Sequence, residues 1–139
     1  MQIEEHASGI LPASILVVED NDTNIMLTKA LLEYMGYGCD VAHNGAEAVD
    51  ILNAARDNYQ FVLMDVQMPV MDGYTATRLI REEEEARGLS RMPIIGITAH
   101  ALIGDDEKCY EAGMDGYITK PFRREEFSKR ISDLMDASA

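Results

Sequence analysis

Phe61-Val62-Leu63-Met64 places four apolar residues in succession, and Asp65 closes the run just before a loop marked by Pro69 and Gly73. Side chains of a strand alternate between its two faces, so an uninterrupted apolar run fits a strand buried on both sides. Such a strand needs helices packed above and below its sheet. The rest of the chain supplies them. Apolar, β-rich segments occur at Ile15–Val18, Cys39–Ala42, Phe61–Met64, Ile94–Thr98 and Gly116–Thr119. Helical patterns follow at roughly Asp22–Met35, Ala46–Arg56, Gly73–Arg87, Gly104–Ala112 and Arg124–Met135. Asp22 or Thr23 and Asn44 are placed to cap helix starts, and Gly36, Gly88 and Gly113 stand where helices stop. Strands alternating with helices predict right-handed crossovers and a parallel α/β sheet covered on both faces.

At 139 residues the chain is expected to form one domain. Residues 1–13, with Ser8, Gly9 and Pro12, read as a flexible lead-in or linker remnant, and 14–136 as the domain. No window approaches the roughly 18 apolar residues of a membrane span, and the N-terminus lacks a signal-peptide pattern. A cytoplasmic domain without membrane contact is expected. The net charge of −13 argues against direct nucleic-acid binding. Cys39 and Cys109 have no metal or redox spacing and read as reduced small hydrophobes. The run Glu82-Glu83-Glu84-Glu85 reads as a solvated helix face.

The carboxyl ends of parallel strands share one rim, where open α/β sheets place their chemistry. Here the first strand ends in Glu19-Asp20, the third in Asp65, the fourth in Thr98-Ala99 and the fifth in Lys120-Pro121. Any one of these has an ordinary alternative: Asp65 by itself would be a capping carboxylate and Lys120 a surface lysine. Together they gather three carboxylates, a hydroxyl and an ammonium. Three ionised carboxylates repel and need a cation, and hard oxygen donors select Mg²⁺ or Mn²⁺. An aspartate flanked by a divalent ion, Lys120 and Thr98 is suited to attack phosphorus, because each partner neutralises oxygens of a transferring phosphoryl group. Ala99 is small enough to leave the approach open. The expected product is an acyl phosphate on Asp65.

Ile15-Leu16-Val17-Val18-Glu19-Asp20-Asn21, Val62-Leu63-Met64-Asp65-Val66-Gln67-Met68-Pro69, Asp72-Gly73, Ile97-Thr98-Ala99 and Tyr117-Ile118-Thr119-Lys120-Pro121-Phe122 stand in an order that resembles the receiver domains of two-component response regulators. The resemblance covers about Ser14 to Met135. It implies a flavodoxin-like, doubly wound (βα)₅ three-layer fold with strand order 2-1-3-4-5. Asp65 then matches the phosphoacceptor, taking its phosphoryl group from a partner phosphohistidine. Glu19 and Asp20 match the acidic pair at the metal, Asp20 directly and Glu19 through water, with the Gln67 backbone carbonyl as the remaining protein ligand. Thr98 and Lys120 match the residues that contact the phosphoryl group, and Tyr117 the aromatic switch. The Lys120-Pro121 bond is expected to be cis. Many members carry two aspartates where this chain has Glu19-Asp20. Glu-Asp-Asn there and Thr-Ala-His later resemble receivers attached to hybrid sensor kinases more than those fused to DNA-binding outputs.

The implied partners are a sensor histidine kinase, a histidine phosphotransfer protein or both, with the domain a monomer or a weak phosphorylation-dependent dimer. No turnover of a free substrate is expected. At least one of Ile25-Met26-Leu27 is expected to be exposed, since three adjacent residues span about 200° of a helix and a core-facing stripe needs little more than about 100°. The pattern reads equally as a docking face for a helical bundle carrying a phosphohistidine or as a broad, well-buried helix. A phosphatase of the haloacid-dehalogenase type also uses an Asp nucleophile with Mg²⁺, but wants a second Asp where this chain has Gln67. A receiver-like interaction module without phosphorylation would be signalled by loss of Asp65, Lys120 or the acidic pair. All are present. His43 and His100 have no partner pattern and read as structural or exposed.

Overall fold

The computed structural model describes residues 13–99, 105–120 and 122–138. Strands β1 (Ala13–Val18), β2 (Gly38–Ala42), β3 (Phe61–Asp65), β4 (Ile94–Thr98) and β5 (Gly116–Thr119) alternate with helices α1 (Asp22–Tyr34), α2 (Gly45–Ala55), α3 (Gly73–Arg87), α4 (Asp105–Ala112) and α5 (Arg124–Ser138). All strand pairs are parallel and the order is β2-β1-β3-β4-β5, as the resemblance implies. β1 begins at Ala13, inside the expected lead-in. The rest of that lead-in lies outside the described residues.

The alternation of side chains divides the core in two. Leu16, Val18, Val62, Met64 and Ile94 join Ala48, Leu52, Ala76, Ile80 and Cys109 from α2, α3 and α4. Ile15, Val17, Phe61, Leu63, Ile95 and Ile97 face the other way and meet Leu32, Phe127 and Ile131 from α1 and α5. All five residues of β3 are buried, as its apolar run requires. Each large side chain so buried contributes about 1.5–3 kcal/mol.

The helix ends largely follow the expected punctuation. Gly36, Gly88 and Gly113 all take positive φ. Asn44 caps α2 and Asp72 caps α3, each accepting an N–H of the first turn. The cap of α1 is Asn21 and not Asp22 or Thr23: Asn21 keeps extended backbone and its Oδ1 accepts the Asn24 N–H at 2.9 Å, whereas Asp22 is already helical.

Glu84 corrects the reading of the acidic run. It is 6% exposed, and its network reaches Met92 and Asp115, just before β4 and β5. Its carboxylate accepts from Arg56, from Arg81 Nη1 at 2.9 Å and from the Met92 N–H at 2.8 Å. Arg81 continues to Asp115 at 2.9 Å, and Asp115 accepts the Ile94 N–H and Arg91 Nε. Burial pulls the Glu84 carboxyl up, but the Met92 N–H and the two arginines outweigh it and hold the group below its ordinary value.

Candidate functional site

The register assembles the rim. Val18 pairs with Met64, so the next residues, Glu19 and Asp65, lie side by side. Asp65 pairs with Ile97, and Thr98 with Thr119, which brings Thr98 and Lys120 to the same edge. Ligand oxygens of Glu19, Asp20 and Asp65 all lie within 4.8 Å of one another. Lys120 Nζ bridges two of them, 3.3 Å from Glu19 Oε1 and 3.5 Å from Asp65 Oδ2. Glu19, Asp65 and Thr98 are buried, while Asp20 is exposed.

Hydrogen bonds fix these carboxylates individually. Asp65 Oδ1 accepts the Gln67 N–H at 3.0 Å, and Glu19 Oε2 accepts the Asn21 N–H at 3.2 Å. Among the described residues, one ammonium faces three carboxylates and does not balance them. Burial, and then the neighbouring Asp65, push the Glu19 carboxyl above its ordinary value, although the Asn21 N–H and Lys120 oppose this. The donor set fits a hard divalent ion: all oxygen, anionic, and confined to a span close to the about 4.2 Å across an octahedral Mg²⁺ shell.

The loop after Asp65 holds features that the sequence reading passes over. Val70 takes φ 70° and is 84% exposed. Gly45, opening α2, donates its N–H to Met71 O at 3.1 Å. The turn-prone pair Asn44-Gly45 was the available signal. Tyr117, half-buried on β5, packs edge to face on Tyr110 with ring centroids 6.2 Å apart, and the Arg130 guanidinium lies 5.4 Å from its centroid. His43 is exposed beside Glu47. Pro121, and with it the predicted cis bond, lies outside the described residues, as does His100.

Next to the rim, Met26 and Leu27 are 70% and 58% exposed, as their spacing on α1 predicts. Leu27, Leu31, Tyr34 and Phe122, with Lys120 and Arg124, line a groove of about 520 Å³. No helix among the described residues is long and apolar enough to cross a membrane.

Fold and rim together define a doubly wound α/β domain built around a buried aspartate. The chain belongs to the response regulator receiver domain family, whose model matches residues 15–132, and is thus a receiver domain of phosphorelay signalling. It is similar to histidine kinase 5 of Arabidopsis thaliana, 42% identical over 130 residues that cover 77% of this chain and 14% of the kinase. The chain therefore spans a small part of that relative's length. Among solved structures, the receiver domain of a sensor histidine kinase from Pseudomonas aeruginosa, with a magnesium ion coordinated in its active-site cleft, has a TM-score of 0.77 and 42% identity, covering 89% of this chain and 98% of that one. A Saccharomyces cerevisiae response-regulator receiver domain, crystallised with its histidine phosphotransfer protein, has a TM-score of 0.82 and 29% identity, covering 94% of both chains.

Proposed function

We propose that Asp65 accepts a phosphoryl group from a partner phosphohistidine, in a reaction that requires Mg²⁺. The observation that carries this reading is the convergence of Glu19, Asp20, Asp65 and Lys120 on one rim, within 4.8 Å among the carboxylates and 3.5 Å from Lys120 to Asp65. An Asp65 oxygen attacks phosphorus as the phosphorus–nitrogen bond of the phosphohistidine breaks, and the imidazole leaves with that electron pair. Asp20, Asp65 and the Gln67 carbonyl would hold the ion, with Glu19 reaching it through water. When bound, the ion supplies positive charge against the phosphoryl oxygens. Lys120 supplies a second positive charge 3.5 Å from Asp65 Oδ2. Thr98 contacts the phosphoryl group after transfer, and Tyr117 turns inward with it, which shifts a two-state equilibrium.

The donor docks on α1. Met26 and Leu27 offer an exposed apolar face beside the rim, and the groove toward Phe122 extends it. A histidine phosphotransfer protein, the kind of partner crystallised with the yeast relative, would lay an amphipathic helix on this surface. The similarity to a short stretch of a histidine kinase favours a receiver that works within such a protein.

Labelling with a small phosphodonor tests the chemistry. Wild-type protein is expected to incorporate phosphate only with Mg²⁺, and Asp65→Asn to lose at least 100-fold of that signal. Labelling without Mg²⁺, or labelling that survives Asp65→Asn, sinks the proposal.

A further inference from the structure

The loop between Asp65 and α3 holds a conformation that its own sequence resists. A β-branched residue in the left-handed region, as at Val70, persists only where its surroundings over-determine it. The Val70 side chain does not help, because it stands in solvent. Backbone hydrogen bonds do. The Met71 N–H donates to Pro69 O at 2.7 Å and the Gly73 N–H to Val66 O at 3.2 Å, both within this segment. A third bond reaches in from another element: Gly45 N–H to Met71 O at 3.1 Å.

The Gly45 N–H is one of the amides that a helix start leaves without a partner inside the helix. Its use here depends on the absence of a side chain. A Cβ at residue 45 would lie 2.8 Å from Met71 O, 2.9 Å from Ala76 Cβ and 3.0 Å from Met71 Cγ. The first of these atoms is backbone and cannot swing aside. At the other end of the loop, a Cβ at Gly73 would come within 2.3 Å of Asp65 O.

We propose that Gly45 is a positioning residue for the phosphoacceptor loop. Through Met71 it clasps the segment from Val66 to Asp72. It thereby fixes the Gln67 N–H that holds Asp65 Oδ1, and the Gln67 carbonyl offered to the metal. What the loop presents rests on the function proposed above; the clasp itself does not.

Amide hydrogen exchange on the metal-free full chain tests the clasp in wild type, Gly45→Ala and Ala48→Gly. Ala48 is buried in the same helix, and its truncation weakens packing without placing a Cβ against Met71. In Gly45→Ala, the Gln67 and Gly73 amides are expected to exchange at least tenfold faster while the Leu63 amide in β3 changes less than threefold. In Ala48→Gly, any acceleration is expected to be shared by all three. Uniform acceleration in Gly45→Ala, or none, overturns the proposal. If Gly45→Ala does not fold, Gly45→Ala with Ala76→Gly relieves one contact, keeps that with Met71 O, and is held to the same ratio. Mn²⁺ titration by electron paramagnetic resonance is expected to show Kd raised at least fivefold in Gly45→Ala and less than twofold in Ala48→Gly. A wild-type chain that takes up no Mn²⁺ would refute the metal reading of the rim, and the exchange ratios would still decide the clasp.

Discussion

Glu19 and Glu84 are both buried, yet they sit at opposite edges of the sheet and their environments treat their charges in opposite ways. Glu84 receives two arginines and a backbone N–H, so its ionised form is favoured and the carboxyl titrates low. Glu19 shares one lysine with Asp65, and its burial, then the neighbouring Asp65, disfavour its ionised form, so it titrates high. The amino edge is electrostatically satisfied. The carboxyl rim is left short of positive charge, a shortfall that a divalent cation would fill.

The largest test of this contrast is Glu84→Ala. It strands Arg56, Arg81 and the Met92 N–H, and is expected to cost about 3–5 kcal/mol in urea unfolding. A loss below about 1 kcal/mol would break the comparison. Mg²⁺ should act only at the other edge. At 100 times its Kd it is expected to raise wild-type stability by about 2.7 kcal/mol, to do the same for Glu84→Gln, and to do less for Glu19→Gln. Glu19→Gln itself removes one of three clustered charges. The metal-free protein is expected to stay equal in stability or gain about 1 kcal/mol, while titration shows Mg²⁺ binding weakened about tenfold. A destabilisation as large as that of Glu84→Ala would erase the distinction.

The smallest effect lies in pH dependence, and the two glutamates give it opposite signs. Glu84 has its folded pKa below the ordinary 4.5, so its contribution is complete above that pH and is lost as pH falls through the folded value. Glu19 has its folded pKa above 4.5, so its contribution is complete below that pH and is lost as pH rises through the folded value. Thermal unfolding of wild type, Glu84→Gln and Glu19→Gln across pH 3–7 is expected to give difference curves that slope in opposite directions.

The rim was legible in the chain because it depends on strand ends, and strand ends depend on local pattern. Phe61–Met64 placed β3, and with β3 came Asp65; Val18 and Thr98 placed Glu19 and Lys120 in the same way. The exposure of Met26 and Leu27 also followed from helix geometry alone. What escaped was decided by distant partners. Glu84 looks like its neighbours in the acidic run, and Arg56, 28 residues earlier, and Met92 join Arg81 in distinguishing it. Val70 takes its positive φ in a loop held from outside by Gly45, a contact that no local propensity encodes. Asn21 took the cap from Asp22 by a single residue, the usual uncertainty of a helix boundary.

The cluster around Glu84 also bears on how fast the chain comes apart. Two of its bonds join segments far apart in sequence: Arg56 to Glu84 spans 28 residues and Arg81 to Asp115 spans 34. Contacts that close such long loops are costly to form early, so they are expected to be absent from the folding transition state. Weakening them should then leave the refolding limb of a chevron almost unmoved and raise the unfolding limb to faster rates. The arginine-bound glutamate would act as a brake on unfolding, lengthening the lifetime of the folded receiver at the edge farthest from its chemistry.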